Sequence, residues 1–139
     1  MATKKTAKKR FEPSAFHIVP KSQSGIVVKL ELPDGTDTGE TLTVRGADSV
    51  EFRKAQAASN RRGMDLLRDK KKIDPDELAI KQQDSITELI ASLVSGWSFD
   101  AECTQANVVE LLKNAPQIQE LVDQTAGDRR NFFVSPLAS

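Results

Sequence analysis

The stretch Ile86 to Trp97, reading ITELIASLVSGW, constrains this chain more than any other. Ile86, Leu89, Ile90, Leu93, Val94 and Trp97 recur three and four residues apart, a spacing that lines them along one stripe of an α-helix. Thr87, Glu88 and Ser92 fall between them and can face water. Burying one aliphatic side chain contributes about 1.5–3 kcal/mol, so this stripe is the strongest single source of folding free energy in the sequence. Gly96 reads as a left-handed cap closing that helix, and the chain's one tryptophan follows it directly.

The flanking residues give the stripe a start and a sequel. Asp74, Asp76 and Glu77 surround Pro75, where proline is tolerated at the first turn and negative charge complements the helix dipole; the spacing predicts a helix over Pro75–Ser95. After a short loop in which Phe99 folds back onto the core, Thr104 reads as an N-cap, and Val108, Leu111 and Leu112 share a face. A second start at Asn114-Ala115-Pro116 precedes Ile118, Leu121 and Val122, with Gly127 as the stop. The expected core anchor is Leu93, Trp97 and Phe99 against Leu111 and Leu112.

The amino-terminal third carries the other periodicity. Phe16 and Ile18 alternate with His17 and Val19 as far as Pro20, a pattern of a short edge strand. Ile26, Val28, Leu30 and Leu32 share one face of a half-buried strand, Pro33-Asp34-Gly35 turns the chain, and Leu42 and Val44 alternate with Thr41, Thr43 and Arg45 in a second strand. A lone hairpin is marginal in water, so its apolar face must lie against a third strand or against the helices that follow. A helix capped by Asp48 or Ser49 begins near Val50, with a weaker apolar stripe through Val50, Ala57, Ala58, Met64, Leu66 and Leu67 and a break expected at Gly63. Arg68, Lys70, Lys71 and Lys72 read as a connector.

The predicted fold class is therefore α+β: a small antiparallel β-hairpin or three-stranded sheet followed by a helical carboxy-terminal half. Residues 1–15 read as a mobile basic arm, and residues 16–139 as a single domain. Within it, 16–46 is the β part, 47–72 a helix and basic connector, 73–126 the helical part and 127–139 a carboxy-terminal tail.

Chemistry is scarce. His17 is the sole histidine and Cys103 the sole cysteine, which removes a disulfide within one chain, a histidine-rich metal site and a cysteine-rich zinc site. A Cys103–His17 nucleophile pair has no supporting motif, no glycine-rich phosphate loop occurs, and Asp74 and Asp76 are better explained as acids at a helix start than as a cation site. The expectation is a protein without catalytic residues, cofactor or metal. Twenty basic and twenty acidic side chains cancel, so no overall charge draws the chain to nucleic acid or membrane. Lys4, Lys5, Lys8, Lys9 and Arg10 crowd the arm, but without interleaved aromatics they read as a solubilising tail rather than a nucleic-acid contact. No apolar run approaches the roughly 20 residues that span a bilayer, and no secretory signal is expected.

The ordered string of features resembles the tail assembly chaperones of long-tailed bacteriophages. It comprises the paired strands Gly25–Leu32 and Leu42–Val44, the segment LVSGW at Leu93–Trp97, and the polar start Thr104-Gln105-Ala106-Asn107. Leu111-Leu112, Pro116 within NAPQIQEL, and Leu121-Val122 complete it, so that most of residues 16–126 is covered. The basic arm and the long Ala47–Lys72 segment depart from a compact member.

The resemblance implies a non-enzymatic protein of the host cytoplasm that binds the phage tape measure protein, keeps it soluble and helps recruit tail-tube protein. A structural component of the tail or head, and a nucleic-acid-binding regulator using the arm, stay open as alternatives, as does self-association. The helices between Pro75 and Ala126 carry more apolar positions than one small hairpin covers. Val109, which lies off the main face of its helix, and Ile118 and Val122, near the chain's end, are the partner-binding candidates; Ile118 and Val122 serve nearly as well to complete the fold.

Overall fold

The structure is a computed structural model that describes residues 10–68 and 74–133. Residues 1–9 of the expected arm, the connector lysines Lys70, Lys71 and Lys72, and residues 134–139 of the expected tail lie outside the described residues.

Local signals set most of the elements. A 3-10 turn at Pro13–Phe16 leads into a short helix α1 (Val19–Ser24), so the edge strand expected at Phe16–Ile18 is absent: Pro20 enters the first turn of α1 instead of ending a strand. Gly25 then turns the chain with φ 75°, and a Cβ there would sit 2.8 Å from the Val44 carbonyl oxygen, so only glycine fits. Strand β1 (Ile26–Glu31) pairs antiparallel with β2 (Asp37–Val44), bringing Val28 opposite Leu42 and Ile26 opposite Val44. The turn between them is closed by Gly35 N donating to Leu32 O, and the second strand starts four residues earlier than its alternation indicated, at Asp37 rather than Thr41.

Helix α2 (Val50–Arg68) starts where expected, with Ser49 Oγ accepting from Phe52 N, and runs unbroken through Gly63. Helix α3 (Pro75–Ala91) begins at its proline, α4 (Gln105–Asn114) is capped by Thr104 Oγ1 accepting from Asn107 N at 3.1 Å, and α5 (Pro116–Gly127) restarts at Pro116.

The organising stripe does not stay helical. Helix α3 ends at Ala91, and Val94–Trp97 forms a third strand, β3, antiparallel to β2 in a sheet of order β1-β2-β3. Arg45 N donates to Leu93 O at 2.6 Å and the Arg45 guanidinium to Ser92 O, so the free edge of β2 captures the chain as it leaves the helix. Val94 lies opposite Val44 and Trp97 opposite Leu42, although Trp97 is three positions on from Val94 and Val44 only two on from Leu42. The extra residue is a β-bulge at Ser95, which resets the alternation so that both large side chains face the core. Gly96 accordingly sits in a strand opposite Thr43 rather than in a left-handed cap.

With its last apolar residues taken by the sheet, α3 also buries a different face from the one its sequence suggested. Thr87, Ile90 and Ala91 are buried, while Ile86 is 51% exposed. Thr87 tolerates burial because its hydroxyl donates to Gln119 Oε1 on α5 at 3.1 Å.

The core lies between the sheet and helices α3, α4 and α5. Leu42 and Val44 of the sheet, Leu93 and Val94 at the exit of α3, and Val108, Leu112, Ile118 and Val122 of the last two helices form one cluster. Leu93 and Leu112 are in it; Trp97, Phe99 and Leu111 are half-buried against it. The Trp97 indole stacks edge-to-face on Phe99 at 5.2 Å and donates to the Ala101 carbonyl at 2.7 Å. Beyond α5 the chain is still part of the fold: Arg129–Asn131 makes a 3-10 turn, and Phe132 is buried beside Gly46 and Ser22.

Exchanging one residue for the other separates the strand from the helix reading of the stripe. Trp97→Ala should lower stability by about 2–4 kcal/mol, because a half-buried indole and its hydrogen bond are lost. Ile86→Ala should stay within about 0.5 kcal/mol of the parent, as a surface substitution does. Urea unfolding of the two variants decides; equal losses would restore the continuous helix.

Candidate functional site

Helices α2 and α3 are poorly covered by the rest of the molecule. None of the 19 residues of α2 is buried, and α3 buries side chains only in its last turns, from Thr87 onward. The sequence explains this. The face that α2 turns to α3 carries Ala55, Ala58 and Ser59, which are too small to fill the space between two helices. The contact is held by the Ser59 and Ser85 hydroxyls 2.9 Å apart and by an ion pair, Arg62 Nη2 to Glu88 Oε2 at 3.5 Å, both partners about half exposed.

Beyond this seam the helices leave an open groove of about 710 Å³. Gly63 and Leu66 line its α2 wall, Gln82 and Ile86 its α3 wall, and Arg62, Asp65, Lys81, Asp84 and Glu88 stand along the rim. Lys81 pairs with Glu77 at 3.8 Å, and Asp84 with Lys113 of α4 at 3.3 Å. Ile86 reaches the groove because the capture of Val94–Trp97 by the sheet turns α3 by about one residue from its expected phase. Nearby on the same two helices, Met64, Leu67 and Ile80 are exposed at 53%, 85% and 59%. An apolar floor with paired charges on its rim has the make-up that suits a helix or an extended apolar segment.

The residues singled out from sequence for partner binding lie elsewhere. Val122 is fully buried and Ile118 is buried, both in the core cluster, so neither presents surface to a partner in this fold. Their burial follows from α5 lying over β2. Val109 keeps part of its side chain at the surface while packing against the core. The groove residues were missed because their exposure depends on what fails to cover them. The one local signal is the composition of α2, whose apolar positions are mostly alanines until Met64, Leu66 and Leu67.

Cys103 is half-buried, and burial raises its thiol above the ordinary range. His17 is exposed, just past the first 3-10 turn. Among the described residues, no group of three or more His, Cys, Asp or Glu side chains is arranged to hold a metal ion, and no helix is long and apolar enough to cross a membrane. The best-defined ion pair fastens the carboxy-terminal turn: Arg129 Nε and Nη2 donate to the two oxygens of Asp48 at 2.7 and 3.0 Å. These hydrogen bonds hold the Asp48 carboxyl below its ordinary value of 3.8, against the opposing effect of partial burial and with the help of the Arg129 and Arg53 charges.

These features define an α+β protein whose distinguishing surface is a groove between two helices. The chain belongs to the phage tail assembly chaperone family, whose profile matches residues 14–125. That span takes in every described strand and all five helices apart from the last turn of α5. No curated protein and no solved structure matches the chain at a significant level.

The Asp48–Arg129 pair has a pH signature. Its carboxyl binds a proton more weakly folded than unfolded, so the pair's contribution is complete above the unfolded value and is lost as the pH falls through the lowered folded one. Thermal melts between about pH 5 and pH 2 should therefore fall less steeply for Asp48→Asn than for the parent. Parallel curves would show that the pair adds nothing.

Proposed function

We propose that this protein is a non-enzymatic chaperone that binds helical segments of the phage tape measure protein in the α2–α3 groove. On this reading it keeps that long protein soluble in the host cytoplasm and helps bring tail-tube subunits to it. The family membership supports the assembly role. The observation that carries the choice of surface is the 51% exposure of Ile86 over an unfilled groove whose far wall carries Leu66, when every larger apolar side chain of α4 and α5 is at least half-buried.

The energetics suit a chaperone. Covering one exposed aliphatic side chain contributes about 1.5–3 kcal/mol, and two or three such contacts, less the cost of association, leave a bond that forms and releases. A long helical partner offers many such contacts in series. A protein that holds each weakly can cover the whole length and still leave when the tail tube closes around it.

Co-expression with the tape measure protein tests this directly. Ile86→Asp should leave the melt of the free protein nearly unchanged while removing most of the co-purifying tape measure protein. Val109→Asp should lower the melt, because that side chain packs against the core. Retention of the complex by Ile86→Asp would exclude the groove. Stoichiometric amounts of the protein in purified virions would replace the chaperone by a structural component.

A further inference from the structure

The outer side of α2, turned away from α3, carries a second pattern. Counting heptads from Val50, the seam positions are Val50, Arg53, Ala57, Asn60, Met64 and Leu67, and the flank beside that seam is Lys54, Arg61 and Arg68. All nine side chains are exposed. The face that packs on α3 comprises Ala55, Ala58, Ser59, Arg62 and Leu66, positions that fall outside this set.

We infer that this face is a docking surface for an amphipathic α-helix of a partner chain, one whose own flank beside the Lys54–Arg61–Arg68 row is acidic. Three observations carry the inference. Seven residues of helix rise place the three cations about 10.5 Å apart in a straight row, the repeat with which flanking charges meet across a pair of helices. Between Ala57 and Leu67 the seam beside them is small or apolar apart from Asn60, and Leu67, at 85% exposed, is the most uncovered large apolar side chain among the described residues. The charge is also concentrated: α2 has five basic and two acidic residues, and both acids, Glu51 and Asp65, fall on the side of the row away from the seam.

A nucleic-acid backbone would account for the cations but not for Met64 and Leu67 beside them. An acidic-flanked helix accounts for both, since its apolar residues cover the seam while its carboxylates meet the row. This surface lies on the other side of α2 from the groove and does not depend on what the groove binds.

The test uses the full chain and two labelled synthetic helices of about three heptads, with identical leucine seams and with flanks of either glutamate or lysine. Fluorescence anisotropy should show the glutamate helix binding at least about tenfold more tightly than the lysine helix, with the difference shrinking as salt is added. Arg61→Glu/Arg68→Glu should reverse the preference, and Met64→Ser/Leu67→Ser should weaken both peptides about tenfold, with helix content by circular dichroism unchanged. Ile86→Asp should leave all of this intact, which separates failure here from failure at the groove. Equal affinities, no binding, a preference that Arg61→Glu/Arg68→Glu does not reverse, or binding of a DNA oligonucleotide in place of either peptide overturns the inference. So does concentration-dependent dimerisation that Met64→Ser/Leu67→Ser abolishes, because the occupant is then a second copy.

Discussion

The architecture depends on the pairing of Val94–Trp97 with the free edge of β2. A two-stranded hairpin has little stability alone, and this one gains a third strand from far along the chain, drawn out of the end of a helix. The Ser95 bulge makes the exchange favourable. Without it, either Val94 or Trp97 would face solvent; with it, both lie over Leu42 and Val44. The same pairing decides where α3 stops, and hence how it is rotated. Once the chain is held at Leu93, α3 can bury only Thr87, Ile90 and Ala91 beneath the last two helices, and its amino-terminal half is left projecting.

That projection gives the molecule two regions of different character. The sheet with α4 and α5 buries its large side chains around Leu42, Leu112 and Val122, each no more than 1% exposed. Helix α2 and the first half of α3 bury none. Local opening occurs where buried apolar contacts are few, so the helix pair is the part of the fold that can yield to a partner while the core stays closed. On the proposed reading, binding and stability are carried by different residues, so surface substitutions on α2 and α3 can report on one without the other.

What was legible in the sequence was local. Ser49 and Thr104 accept hydrogen bonds from amides of the first turns they precede, Pro75 and Pro116 supply a pre-set φ at the first helical position, and each marks a helix start in the structure. The alternation around Leu42 and Val44 showed the hairpin for the same reason. The third strand was hidden by a coincidence of periods: a bulged strand places core residues three apart at Val94 and Trp97, and three is also a helical spacing. The phase of α3 was hidden by a partner 32 residues away, since Thr87 reads as a surface residue until Gln119 is found to accept its hydroxyl. Candidate site residues suffered most. Ile118 and Val122, candidates for partner binding that served nearly as well to complete the fold, lie in the core; Ile86, one of six positions on the expected buried stripe, lines the groove.

The charge distribution completes the physical picture of the helix pair. Helix α2 is basic, whereas α3 has one basic and four acidic residues, so the two attract over their length even though small side chains hold them at the seam. Attraction between exposed charges is weak, about 0–1 kcal/mol for a pair such as Arg62–Glu88, and salt screens it. Covering a single exposed isoleucine contributes more than such a pair. That attraction adds to the Ser59–Ser85 contact that holds α2 beside α3, and it is weaker than what covering an apolar side chain in the groove would contribute. A seam of large interlocking side chains would have closed the groove permanently, and a chain with uniform charge on both helices would have splayed it open. The alanines and serines of α2, set against the opposed charges of the two helices, hold it between those limits.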